Sequence, residues 1–117
     1  MVKQNGNPYA PFLLISDDIC DCIILTDSAM TARTNIFNEF CEDRWTGNGY
    51  DWTSVVQLLV RKKFSHYEKQ LSYDPEAGMF FIRGPLEILK VIASELKMVY
   101  EDESYLRDLI SQAVCTN

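Results

Sequence analysis

Gly47-Asn48-Gly49-Tyr50-Asp51-Trp52 is the stretch that decides the fold, because it lies between two amphipathic segments. Its two glycines can take positive φ without steric cost, and the asparagine between them tolerates it better than most residues. Asp51 is placed to accept hydrogen bonds from free N–H groups at the start of the next helix. The stretch therefore predicts a tight bend that ends one helix and starts another, while presenting Tyr50 and Trp52.

Length and composition indicate one ordinary globular domain. The chain has 117 residues, 47% of them hydrophobic and 24% charged, and a formal net charge of −6. A domain of this length buries roughly two thirds of its unfolded surface and needs no metal or disulfide for stability. The acidic balance argues against a nucleic acid partner, since phosphate binding needs clustered Lys and Arg. The negative net charge fits a basic protein partner, because attraction between opposite charges raises the rate of association.

Location, metal binding and cofactors are predicted from what the sequence lacks. Residues 1–8 hold no apolar segment typical of a signal peptide, and no apolar run could span a bilayer. We therefore expect a cytoplasmic protein with no membrane partner. Cys20 and Cys22 with the distant His66 are a weak zinc signal, so reduced thiols and no metal or cofactor are expected.

The first half of the chain predicts a hairpin followed by two helices. Residues 1–9 are polar with Gly and Pro and predict a flexible lead before a single domain at 10–117. The apolar runs 11–15 and 19–25 flank a turn at Ser16-Asp17-Asp18 and predict a hairpin. A helix is expected to begin at Asp27-Ser28 and to end at the bend, after which a second helix follows. The apolar stripes of the two helices are Ile36, Phe37, Phe40 and Cys41, and then Trp52, Val55, Val56, Leu59 and Val60.

The second half repeats this plan. Runs 70–73 and 79–82 flank Asp74-Pro75-Glu76-Ala77-Gly78, which has Asp first, Pro at the second turn position and Gly78 where positive φ is expected. Pro85 is predicted in the first turn of a long helix that ends near Tyr100, and a short helix follows to about residue 114. The order ββααββαα predicts an α+β fold. We expect an antiparallel sheet of about four strands, formed by two hairpins, with the helices on one face.

Three surface patches are candidates for binding another protein. At the bend, Tyr50 is the expected exposed anchor, Asn48 and Asp51 accompany it, and Trp52 is expected inside. The second patch is acidic, Glu39, Glu42 and Asp43, and can join Asp17, Asp18 and Asp21 if the first turn lies nearby. The third patch is Glu101, Asp102, Glu103 and Asp108. For each acidic patch, the alternative is a solvated helix face or helix-terminal charge.

An enzyme is disfavoured by the absence of catalytic motifs. His66 is the single histidine, it stands among Arg61, Lys62, Lys63 and Lys69, and it would have to be the general base of any His-dependent mechanism. Glu42 and Asp43 are adjacent and would splay apart on a helix, and no nucleophile motif or phosphate loop is present. We therefore expect no catalytic residue.

With these segments laid out, the chain resembles the immunity protein 51 family of bacterial polymorphic toxin systems. The resemblance rests on Gly47–Trp52 with the helix behind it, and on Leu71-Ser72-Tyr73-Asp74-Pro75-Glu76-Ala77-Gly78-Met79-Phe80 with the two helices that follow. Together they cover roughly residues 36–113. In both segments, the motif residues Gly47, Gly49, Trp52, Asp74, Pro75 and Gly78 are expected to be structural.

The resemblance implies a small cytoplasmic α+β protein that binds and neutralises a cognate toxin, with no catalysis and no cofactor. Acidity is compatible with a basic toxin such as a nuclease. We expect a monomer or weak homodimer, with toxin-binding residues among the bend and acidic patches. The alternative is a small-molecule-binding or regulatory module without catalysis.

Overall fold

Two β-hairpins join edge to edge into one four-stranded antiparallel sheet. The strands are β1 (Leu13–Ser16), β2 (Asp21–Thr26), β3 (Ser72–Tyr73) and β4 (Met79–Arg83), in the spatial order β1-β2-β4-β3. These positions come from a computed structural model that describes residues 7–40 and 45–116, with side chains described as far as Ala113. The expected sheet and the α+β class are confirmed.

The central pair of strands connects the two hairpins. β2 and β4 pair so that Ile23 lies opposite Ile82 and Leu25 opposite Phe80, and all four side chains are fully buried. Successive residues of a strand point to opposite faces, so these four define the inner face of the sheet. The inner face packs against the helices and forms the hydrophobic core with them.

Five α-helices cover this inner side in the described part of the chain. They are α1 (Asp27–Thr31), α2 (Thr34–Asn38), α3 (Gly49–Lys63), α4 (Leu86–Glu101) and α5 (Glu103–Thr116), with a 3-10 helix at Ser65–Gln70 between α3 and β3. Pro85 was predicted to lie in the first turn of α4. It is instead the residue immediately before the helix. None of the helices in residues 7–40 and 45–116 combines the length and hydropathy that a membrane span requires.

The single helix expected after β2 is instead two short helices, α1 and α2. The break falls at Arg33, whose Nε donates to the backbone oxygen of Tyr100 at 3.0 Å. The guanidinium also lies 4.2 Å from the centroid of the Tyr100 ring. This anchor ties the break to the end of α4, and it lets α1 and α2 each direct a buried residue, Met30 and Phe37, into the core.

Five aromatic rings hold the helices, the first hairpin and the bend together. Trp52 is fully buried, with its ring centroid 6.0 Å from Phe12, 5.4 Å from Phe37 and 6.1 Å from Tyr100. Trp45 stacks on Phe37 at 6.3 Å. The five residues come from the position before β1, from α2, from the segment that leads into the bend, from α3 and from α4. The expectation that Trp52 lies inside is confirmed.

Candidate protein-binding interface

The bend is held by a reciprocal pair of side-chain hydrogen bonds. The Oδ1 of Asn48, which is the N-cap of α3, accepts from the backbone N–H of Asp51 at 2.9 Å. The Oδ2 of Asp51 accepts in return from the backbone N–H groups of Thr46 at 2.8 Å and Gly47 at 2.9 Å. The first bond satisfies an N–H group that a helix start leaves unpaired, and the other two fix the residues that lead into the helix. The cap itself is Asn48, whereas the sequence pattern pointed to Asp51.

Asn48 and Asp51 were expected to contact a toxin, and in the structure both side chains hold the bend. Truncating Asp51 to alanine leaves two backbone N–H groups without their acceptor. We therefore expect Asp51→Ala to lower the free energy of unfolding by about 1–2 kcal/mol. Asp51→Asn should cost less, because its amide oxygen can still accept. Urea unfolding curves measure both, and an unchanged midpoint for the alanine variant would contradict this role.

The bend docks directly on the turn between β3 and β4. The N–H of Gly49 donates to the backbone oxygen of Ala77 at 3.0 Å. A Cβ added at Gly49 would lie 1.9 Å from the oxygen of Glu76 and 2.4 Å from that of Met79. Gly49 is therefore required for close approach of two backbones, and only Gly47, at φ 80°, uses the positive φ that both were expected to offer. The two segments that carry the family resemblance thus form one contact.

The backbone conformation of Gly78 in this turn also differs from the expected one. It does not adopt positive φ, although the turn pattern predicted that it would. The backbones of Glu76 and Met79 exchange hydrogen bonds of 2.9 and 3.0 Å across the two intervening residues. The β3–β4 hairpin therefore closes where it was predicted, but by a different backbone conformation at its glycine.

Tyr50 is the one large exposed side chain that the bend presents. Its side chain is 54% exposed, while its neighbour Trp52 is completely buried. Since α3 begins at Gly49 against the β3–β4 turn, Tyr50 lies at the end of the sheet where Thr26 of β2 pairs with Met79 of β4. An exposed tyrosine on a rigid helix start suits a protein contact, because it offers a large area at low entropic cost.

The acidic candidates that the structure describes, Glu39, Asp17 and Asp18, do not gather into one patch around the bend. Glu39 receives two hydrogen bonds from Arg107 of α5, at 2.9 and 3.0 Å, and these lower the pKa of Glu39. Its carboxylate therefore joins α2 to α5. Asp17 and Asp18 precede β2, at the opposite end of its six residues, about 20 Å from the bend. Glu42 and Asp43 lie outside the described residues.

The hairpin turn of Asp17 and Asp18 is itself well ordered by hydrogen bonds. The Oδ1 of Asp17 accepts from the backbone N–H groups of Ile19 at 2.8 Å and Cys20 at 2.9 Å, and these bonds lower the pKa of the carboxyl. The turn presents Ile19, which is 92% exposed. A fixed turn with an apolar tip is a surface that binding need not order further.

The face of the sheet away from the helices is apolar, and sequence reasoning did not single it out. We call this the outer face. Its large apolar residues are Leu13 and Ile15 of β1, Ile24 of β2, and Met79 and Phe81 of β4, and the register also places Cys22, Thr26 and Arg83 on it. None of the five large apolar residues belongs to the hydrophobic core cluster or packs against it. A one-sided antiparallel sheet normally alternates apolar and polar residues. An apolar outer face could have been predicted from two apolar runs without polar alternation, Ile23-Ile24-Leu25 and Met79-Phe80-Phe81-Ile82.

A groove of about 410 Å³ adjoins the outer face at the edge strand β1. Leu13, Leu14 and Ile15 line one side of it, and residues 7–9 line the other. Leu13 and Ile15 therefore belong both to the groove and to the outer face. Its size is within the range of small-ligand pockets and would also admit a partner's side chain.

The residues that the sequence singled out for metal binding, His66, Cys20 and Cys22, form no metal-holding group in the described part of the chain. The ring centroid of His66 lies 4.0 Å from that of Tyr67, and His66 is not among the residues that line the groove. Cys20 and Cys22 are free, and burial raises the pKa of Cys22. Within residues 7–40 and 45–113, no three His, Cys, Asp or Glu side chains are placed to hold a metal ion.

Comparison with known proteins identifies one family. The family model described as immunity protein 51 matches residues 12–114, from the residue before β1 into the last turns of α5. No curated protein and no solved structure matches the chain. The match covers the bend, the β3–β4 turn and all four strands, so both segments that carried the resemblance lie inside it. The chain belongs to the immunity protein 51 family.

Proposed function

We propose that this chain neutralises a cognate toxin by binding it stoichiometrically, without catalysis. The observation that carries the proposal is family membership over residues 12–114, which is most of the chain. The binding would cover the toxin's active site, its substrate groove or an adjacent exosite. A basic toxin such as a nuclease suits the net charge of −6, because opposite charge accelerates association.

The experiment is a toxicity rescue followed by a binding measurement. The toxin domain encoded beside this gene is expressed in a sensitive host with and without this chain. Rescue of growth and a 1:1 complex between the purified chain and an inactivated form of that toxin domain are expected. The proposal would be refuted if the toxin still stopped growth of cells that contain this chain and the purified chain showed no measurable affinity for the toxin domain. Turnover of any substrate by the purified chain would refute its non-catalytic part.

Tyr50 is the anchor in this proposal. Its exposed ring sits on a helix start that the Asn48–Asp51 hydrogen bonds and the Gly49 contact hold rigid. Truncating an aromatic anchor typically costs about 2 kcal/mol or more, so we expect Tyr50→Ala to weaken toxin binding by about thirtyfold or more. Isothermal titration calorimetry against the inactivated toxin domain measures this loss.

The control for Tyr50 is Val91→Ala on α4, which also removes an exposed apolar side chain, 43% exposed. It should bind the toxin domain like the unmodified chain. Circular dichroism and urea unfolding check that both variants stay folded, since surface truncations usually change stability by less than about 0.5 kcal/mol. Equal affinities for the two variants would remove Tyr50 from the interface.

A small-molecule-binding module is the second candidate, and one observation favours it. The groove beside β1 has a volume of about 410 Å³, and small-molecule pockets begin at about 300 Å³. Under this alternative, a metabolite of the neighbouring operon would raise the melting temperature of the protein. The toxin domain would then show no affinity for the chain, which separates the two functions.

A further inference from the structure

We infer that the outer face of the sheet is the main docking surface for the toxin, and that the matching toxin surface is apolar at its centre and basic at its edge. This inference rests on the proposed function and names the surface that would perform it. The argument begins with exposure. Leu13 and Ile15 are 40% and 39% exposed on β1, and neither belongs to the core that the helices cover.

An apolar face of this kind is unusual for a strand surface in contact with water. The inner neighbours of these residues, Ile23, Leu25, Phe80 and Ile82, already supply the core. The outer apolar residues lie outside that cluster, with Leu13 and Ile15 exposed and Ile24, Met79 and Phe81 half-buried. Contiguous exposed apolar patches on soluble proteins usually mark interaction sites. The groove beside Leu13 and Ile15 adds a recess into which a partner's side chain could insert.

The charges around the outer face indicate which partner fits it. Asp17 and Asp18 lie at one end of the sheet, and Asp27 and Glu76 lie at the other, beside the β3–β4 turn. The cation on this face, Arg83, lies 5.4 Å from the Phe81 ring and pairs with Asp74 at 3.6 Å. These charged residues form the rim of the outer face, and the rim is therefore net negative. An interface with an apolar centre and a charged rim favours a partner of opposite charge.

The size of the face means that the rim must take part in binding. Four strands about 4.8 Å apart and up to six residues long cover on the order of 300 Å². A standard interface buries about 800 Å² on each partner, so a tight complex has to extend over the surrounding turns. A second copy of this chain would bring its own acidic rim against this one. A basic partner gains from the same rim, so the toxin is the occupant that the charges favour.

The test replaces outer-face apolar residues without disturbing the sheet. Threonine is a good strand residue of similar shape to valine and isoleucine, so Leu13→Thr with Ile15→Thr should fold normally. Val91→Thr on the exposed side of α4 makes the same kind of change at similar exposure, 43%, away from the sheet. The probe is the inactivated toxin domain encoded beside the gene. We expect the β1 variant to lose about tenfold or more in affinity and Val91→Thr to lose none.

A charge variant tests the rim separately. Asp18→Asn with Glu76→Gln removes one charge at each end of the outer face while keeping the size of both side chains. Rim charges act mainly on association, so the association rate constant should fall several-fold and depend less on salt, while the dissociation rate constant changes little. An unchanged association rate constant at low salt would show that the partner does not meet the acidic rim, which overturns the basic-partner inference.

The outcomes separate this inference from the function on which it rests. No binding of the toxin domain by the unmodified chain overturns the proposed function, and this inference with it. If the unmodified chain binds the toxin domain and the Leu13→Thr, Ile15→Thr variant binds it equally well, the proposed function stands. The inference that the outer face is the docking surface is then overturned. Sedimentation of the unmodified chain as a dimer that this variant dissociates would assign the face to a second copy, which also overturns the inference.

Discussion

Gly49→Ala is expected to destabilise the protein by about 3 kcal/mol or more. The added methyl carbon would lie 1.9 Å from the backbone oxygen of Glu76 and 2.4 Å from that of Met79. Overpacking typically costs about 1–3 kcal/mol, and the obstruction here is backbone that no rotamer change can clear. The start of α3 would have to move off the β3–β4 turn, which also breaks the 3.0 Å hydrogen bond from Gly49 to Ala77.

Gly78→Ala is the matched control, since it makes the same substitution in the turn that Gly49 touches. A Cβ at Gly78 would meet only the Oδ1 of Asp27, at 4.0 Å, and the backbone there does not have positive φ. We expect the free energy of unfolding of this variant to lie within about 0.5 kcal/mol of that of the unmodified chain. Urea unfolding of a domain this size gives both values. Equal midpoints for the two alanine variants would show that the bend does not depend on this close approach.

Trp52→Ala is expected to cost about 3–5 kcal/mol of stability, the range for removing a large buried aromatic side chain. Its ring is fully buried among Phe12, Phe37 and Tyr100. The cavity would open where α2, α3 and α4 meet the residue before β1, so all of these segments would lose contacts. Its indole N–H is buried without a hydrogen-bond partner among the described residues. Trp52→Phe should therefore cost less, since it removes that unpaired group along with part of the ring.

Tyr50→Ala is the control for Trp52, two residues away on the same helix. It removes an aromatic side chain that is mostly exposed, so its unfolding midpoint should stay close to that of the unmodified chain. The two variants thus separate stability from binding, because Trp52→Ala should strongly destabilise the protein and Tyr50→Ala should only weaken the toxin complex. Comparable losses of stability in both variants would contradict the burial that distinguishes the two rings.

Much of the fold was predictable from local pattern. The two hairpins, the strand order within each and the long helices after the bend and after Pro85 all follow from alternation, turn residues and apolar stripes. The break between α1 and α2 was not, because it depends on Arg33 reaching Tyr100, 67 positions away. A local stripe cannot record a contact between residues so far apart in the chain.

The candidate site was predicted less completely than the fold. Tyr50 is exposed as expected, but Asn48 and Asp51 hold the bend, and Glu39 is paired with Arg107. Each of these polar residues has a hydrogen-bond partner that the sequence does not reveal. A surface patch is defined by what remains unpaired after folding, so composition alone overestimates the number of residues available for binding.

The sequence by itself determined the α+β class, the hairpins, the burial of Trp52 and the family, because each depends on residue types in a local or recurring pattern. Only the tertiary structure decided that Gly49 serves close approach to Glu76, and that the apolar residues of β1, β2 and β4 share one outer face. The physical reason is that the register between strands and the docking of the bend on a distant turn are set by contacts across the chain. Those contacts also place the acidic turns around an apolar sheet.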